Sequence, residues 1–233
     1  MGPNMQQNRS ASQRSASSGT RLPPLLWAWL LGYALLVHTA LTAEADDRSP
    51  PDPTACVEKC VTPFGDVLGR SPGNVVAFSN CRSDCVAPQN NTLDGTFTGE
   101  KWQCVEYARR WLLRKRGAVF GDVDIAADIW IKIDHLVRVH DQARLPLPAR
   151  LNGSEQAPQA GDLLIYAEAF YGTGHVAVVL DIDPVARLIS VGEQNFYNQP
   201  WPGTHARRIE YIEKDGQIWV LDPYLIGWKH TSR

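Results

Sequence analysis

Residues 101–117 read KWQCVEYARRWLLRKRG. Cys104, Ala108, Trp111 and Leu112 recur at the spacing of one helix face. Arg114, Lys115 and Arg116 crowd the far end, where cations oppose the negative pole of the helix dipole, and Gly117 supplies a stop. The run predicts a helix from Cys104 to Arg116 that carries a thiol at its first turn. A thiol there lies near the positive pole, which favours the thiolate. With Arg109 and Arg110, the basic cluster reads mainly as a solvated helix end.

Moving outward, Ile125, Ile129, Ile133, Leu136 and Val137 predict a second helix over Asp124–Val139. Asn90, Asn91, Asp94 and Gly95 read as a loop, and the Pro-rich residues 144–160 as a longer one. After Gly161 the period shortens. Leu163–Tyr166, Val176–Ile182, Leu188–Val191, Ile209–Ile212 and Ile218–Leu221 predict strands, with a hairpin turn at Asp215-Gly216. Helices first and antiparallel strands second make an α+β fold.

The chain has 233 residues and a formal net charge of -2. That size suits one well-buried domain, and the charge gives no basic footprint for nucleic acid. Residues 1–45 read as an export segment. Arg9, Arg14 and Arg21 precede an apolar run from Leu25 to Val37, and Ala43-Glu44-Ala45 offers a cleavage site. The alternative is an uncleaved signal anchor over Leu22–Ala43, the one route by which the protein would hold a membrane. Either reading puts the chain beyond Asp46 on the non-cytosolic side. Asn90 and Asn152 begin N-x-[ST] sequons in the exported part; Asn8 matches too but precedes the apolar run.

The chain contains five cysteines. Cys56, Cys60, Cys81 and Cys85 form two C-x3-C pairs, which in an oxidising compartment predict two disulfides in any of three pairings. A four-thiolate zinc site is the alternative, with looser spacing than such sites use. Cys104 is left over.

A cysteine nucleophile needs an imidazole and a group that orients the imidazole. His175 follows Gly172-Thr173-Gly174 and opens an apolar strand, with room beside it. Glu193, Gln194 and Asn195 end the next run, where an antiparallel neighbour would come level with His175. Glu193 is the expected orienter. His135, His140, His205 and His230 have no comparable context.

The stretch Lys101–Trp111 resembles the nucleophile helix of CHAP-type cysteine amidases, and within them the amidase half of glutathionylspermidine synthetase/amidases and trypanothione synthetases. Thr173-Gly174-His175-Val176-Ala177 is similar to the family's histidine motif, and Glu193-Gln194-Asn195 to the segment carrying its third residue. Pro63-Phe64-Gly65-Asp66-Val67-Leu68-Gly69 resembles the start of that domain and Ile226-Gly227-Trp228 its end. The resemblance divides the chain into the export segment 1–45, a cysteine-bearing lead-in 46–61, an amidase domain 62–229 and a tail 230–233.

The resemblance implies a papain-like fold with N-terminal helices packed on an antiparallel sheet. It implies a thioester mechanism with Cys104 as nucleophile, His175 as base and acid and Glu193 as orienting carboxylate, and no metal or organic cofactor. It places Gln103 beside the oxyanion hole and gives Arg109 and Asn195 as substrate contacts. The synthetase half of those enzymes does not occur in these residues, so hydrolysis and not synthesis is expected. The implied substrate is a glutathionylspermidine-like amide. Export keeps open a peptidoglycan amide or peptide, and a secreted binding module without catalysis remains the non-enzymatic alternative.

Overall fold

A computed structural model describes residues 56–231, all within the compact unit Arg48–Arg233. The export segment or anchor at 1–45, the Asn8 sequon and most of the lead-in lie outside the described residues. No helix among the described residues is long and apolar enough to cross a membrane.

Two small hairpins come first: β1 (Val67–Ser71) with β2 (Val75–Phe78), and β3 (Asn90–Leu93) with β4 (Thr96–Glu100). Helix α1 (Cys104–Arg116) comes next, with the bounds its sequence predicts. Then come β5 (Ala118–Val119), the short α2 (Asp128–Lys132), β6 (His135–Arg138), β7 (Arg144–Pro146) and β8 (Ala149–Leu151). The remainder is strand: β9 (Leu163–Tyr166), β10 (His175–Asp183), β11 (Leu188–Gly192), β12 (Arg207–Lys214), β13 (Gln217–Val220) and β14 (Leu225–Lys229). The main sheet is antiparallel, in the order β13-β12-β11-β10-β9-β14-β8.

The α+β class and antiparallel sheet stand, but the N-terminal helices do not. Two hairpins occupy that part of the chain, and α1 is the one long helix among the described residues. The second helix shrinks to Asp128–Lys132. Ile133 turns extended (φ −109, ψ 117), and His135–Arg138 pairs with β5 and β7 instead. Ile129, Ile133 and Leu136 of the stripe are buried as expected, but strand pairing and not a continuous helix buries the residues beyond Ile133. The Asn90–Gly95 loop is the β3–β4 hairpin, whose Asp94 and Gly95 both have positive φ. Residues 144–160 hold β7 and β8.

Central strands β9 and β10 are buried on both faces, which is why they read as continuous apolar runs. Leu163, Ile165, Val176 and Val178 join the core under α1, with Ala108, Trp111 and Leu112. Leu164, Tyr166, Ala177 and Val179 join a second core with Ile189, Val191 and Trp228. Helix α1 packs on β10, β4, β5 and β2. Its first two turns are enclosed, so only Arg114 and Lys115 keep the expected solvated end. Arg109 and Arg110 are buried and paired: Arg110 Nε donates to Glu106 Oε1 at 2.7 Å, and Arg109 Nη1 to Asp122 Oδ1 at 2.8 Å.

The disulfides join Cys56 to Cys85 and Cys60 to Cys81, which uses the four thiols a zinc site would need. They fasten the end of the lead-in to the body. At the other terminus, Thr231 N–H donates to Asp162 Oδ1 at 2.9 Å, and His230 Nδ1 lies 3.0 Å from the same oxygen.

Candidate active site

Cys104 is the first residue of α1, and extended Gln103 is its N-cap. First-turn N–H groups have no acceptor within their own helix, so the thiol sits among unspent donors. The backbone N–H groups of Val105 and Val176, and above all His175, act on its sulfur in favour of the thiolate. Cys104 is the one free cysteine among the described residues.

His175 opens β10 at the centre of the sheet, where β9 and β11 flank it. Gly174 makes that entry possible. Its φ is +70, and a Cβ there would stand 2.5 Å from the Tyr166 carbonyl oxygen and 2.9 Å from Ala127 N. Only glycine meets both conditions. Glu193 follows β11 directly, and the pairing of Val178 with Gly192 carries it back toward His175. Nε2–H of His175 donates to Glu193 Oε2 at 2.9 Å, and both residues are buried, 2% and 3% exposed. That leaves the other ring nitrogen for Cys104.

Burial raises a thiol and lowers an imidazole, so it opposes ionisation of both. The pairing prevails. Burial pushes Cys104 up, but the His175 charge and hydrogen bond, aided by the two N–H groups, hold it below the ordinary thiol value. Burial pushes His175 down, but Cys104 and then Glu193 raise it to about 9. Glu193 would likewise rise on burial, but Arg207 foremost, and His175, hold it below the usual carboxylate value.

Gln103 and Asn195 meet beside the thiol. Asn195 Nδ2 donates to Gln103 Oε1 at 2.7 Å, and Gln103 Nε2 donates to the Cys85 carbonyl at 2.9 Å. Buried Asn80 joins them, donating to Asn195 Oδ1 at 3.0 Å and to Cys85 O at 2.6 Å. Asn80 was not foreseen; a buried polar residue beside two cysteines carries no local signal. Gln103 thus spends its side-chain amide on the protein and forms a wall of the site. Arg109 also differs from expectation. Its guanidinium donates to Asp122 and to the Phe97 carbonyl, and Asp122, not Arg109, faces the cleft.

Cys104 lies where two clefts meet. One, of 460 Å³, takes in His175, Asn195, Phe170, Tyr171, Ser83 and Asp84. The other, of 510 Å³, has the carboxylates Glu100, Asp122 and Asp124 on its wall. Exposed Asn90 also lines the second cleft, whereas Asn152 spends both its amide atoms on Val220. Among the described residues there is no cluster of metal-ligating side chains.

Comparison with known proteins places the chain among cysteine amidases with a CHAP domain. Residues 95–195 match the CHAP domain, a span that includes Cys104, His175 and Glu193. The chain is 35% identical over 182 residues to the bifunctional glutathionylspermidine synthetase/amidase of Escherichia coli (strain K12), covering 71% of this chain and 29% of that protein. It is 32% identical over 160 residues to the trypanothione synthetase of Crithidia fasciculata, covering 68% and 24%. A glutathionylspermidine synthase of Crithidia fasciculata is 27% identical over 195 residues, covering 71% and 26%. The chain spans under a third of the length of each of these relatives.

Proposed function

From a chain that carries a CHAP domain, we propose a cysteine amidase that cleaves its substrate through a thioester on Cys104. The observation that carries this reading is the line Cys104–His175–Glu193, with a lowered thiol at one end and a buried carboxylate at the other. The Cys104 thiolate attacks the amide carbonyl carbon. Negative charge moves to the carbonyl oxygen, which accepts a hydrogen bond from the Cys104 N–H at the open helix start, with Gln103 as the adjoining wall. His175 gives its proton to the leaving nitrogen as the C–N bond breaks, and the acyl group stays on sulfur. Neutral His175 then takes a proton from water, the hydroxide attacks the thioester carbonyl and displaces the Cys104 thiolate, and the acid leaves with the thiolate–imidazolium pair restored.

The proposed substrate is a glutathionylspermidine-like amide. The relative from Escherichia coli is named for that amide, and the three carboxylates beside Cys104 suit a polycationic leaving amine. On this reading Arg109 serves the substrate through Asp122, and Asn195 contacts it from the wall of the first cleft. The two disulfides support an oxidising compartment for the domain. The test is incubation of purified protein with glutathionylspermidine, with spermidine and glutathione as expected products. No release from that amide, with muropeptides released from cell walls instead, would keep the chemistry and replace the substrate.

A further inference from the structure

Behind Glu193 lies a group that the thioester chemistry does not use. Arg207, the first residue of β12, comes level with the end of β11 because Val191 pairs with it. Its Nε donates to Glu193 Oε1 at 2.7 Å, and Nη2 reaches Glu193 Oε2 at 3.4 Å. Nη1 donates to Asp222 Oδ2 at 2.6 Å and Nη2 to the Tyr166 hydroxyl at 2.9 Å. That hydroxyl donates in turn to Asp222 Oδ2 at 2.6 Å. The guanidinium carbon stands 4.3 Å from the Phe196 ring centroid. Arg207 and Asp222 both lie outside the stretch that matches the CHAP domain.

The geometry points to Arg207 as a positioning residue of this site, holding Glu193 as a carboxylate aimed at His175 Nε2. A guanidinium fork can grip both carboxylate oxygens and still bond Asp222, which fixes the carboxylate in rotation as well as in charge. The titratable groups that face this cluster are Cys104 and Tyr107 from α1, Tyr166 from β9, His175 from β10, and Asp222 after β13. With the thiolate–imidazolium pair formed, Arg207 and His175 are the cations among Cys104, Glu193 and Asp222. Without Arg207 three anions would share one buried cation. Glu193 would then take up a proton at higher pH, and the imidazolium and its thiolate would lose their support.

The inference rests on Cys104 being the nucleophile, so the test reads that residue directly and needs no substrate. The rate of Cys104 alkylation by iodoacetamide is measured against pH for wild type, Arg207→Lys and Arg207→Met, with thermal unfolding to check each fold. We expect the acid limb in Arg207→Met to move up by about one pH unit, with alkylation at its old midpoint about fivefold slower. Arg207→Lys, which keeps the charge without the fork, should fall between the two. A folded Arg207→Met with the wild-type profile overturns the inference. If Arg207→Met does not fold, Arg207→Lys decides: a displaced limb supports it and an unchanged one overturns it. Wild-type Cys104 no more reactive than a free thiol would remove the nucleophile itself, and the role of Arg207 with it.

Discussion

At the scale of single residues, the site turns on which of two opposed effects wins. Burial alone would leave Cys104 a thiol and His175 a neutral ring, with little nucleophile at neutral pH. Their mutual charge, with Glu193 behind the ring, reverses both shifts. These directions set the sign of the pH dependence. Turnover should rise as pH climbs through the lowered Cys104 value, where thiolate forms. It should fall near pH 9, where His175 loses the proton that the leaving nitrogen needs. A pH profile of kcat/KM checks this, and one still climbing through pH 10 would contradict it. Glu193→Gln removes the charge that supports the imidazolium, so the alkaline limb should move below 9 and kcat/KM should drop by about 100-fold or more. Steady-state kinetics with that variant distinguishes an orienting carboxylate from a structural one, which would leave the limb in place.

At the scale of elements, what the sequence could show depended on how local the cause was. Helix α1 was legible because its stripe, basic end and Gly117 cap all lie within 14 residues. Strands β9 to β13 were legible from apolar runs and from the Asp215-Gly216 turn, whose residues both adopt positive φ. The segment 124–139 misled because an i, i+4 spacing of isoleucines also suits a short turn leading into a strand; pairing with β5 and β7 decided it. The Asp94-Gly95 hairpin carried a turn signal as plain as Asp215-Gly216, but its strands, NNTL and TFTGE, lack an apolar run. Gly174 belongs to this scale, because it sets how β10 begins. Gly174→Ala forces a side chain against Tyr166 O and Ala127 at positive φ. We expect a loss of about 1 kcal/mol or more in urea unfolding, with Cys104 alkylation slowed as His175 shifts. A variant with unchanged stability and alkylation would contradict the account of that turn.

At the scale of the whole molecule, the site is tied together by contacts far apart in the chain. Cys104, His175 and Glu193 announced themselves through motifs. Arg207, Asp222 and Asn80 did not, because each gains its meaning from a partner across the sheet or across a disulfide loop. Register contained the hint for Arg207: the antiparallel step that sets Glu193 against His175 also brings the first residue of the next strand alongside. The disulfides act at the same scale. Cys85, bonded to Cys56, presents the carbonyl that receives both Asn80 and Gln103. The bridges join residues 29 and 21 apart in sequence, and each is worth about 3 kcal/mol against the unfolded chain. Reduction should therefore lower the Tm by roughly 10 °C or more. A scan in reductant, with the freed thiols counted by alkylation, checks this; full reduction without a change in Tm would contradict it.

The central claim is that Cys104 carries the acyl group. Its most direct test is intact-protein mass spectrometry of acid-quenched turnover on glutathionylspermidine, comparing wild type with Cys104→Ala. The account predicts a transient acyl adduct on wild-type Cys104, with spermidine released, and neither adduct nor release in Cys104→Ala. Wild-type turnover by the Cys104→Ala protein would contradict it.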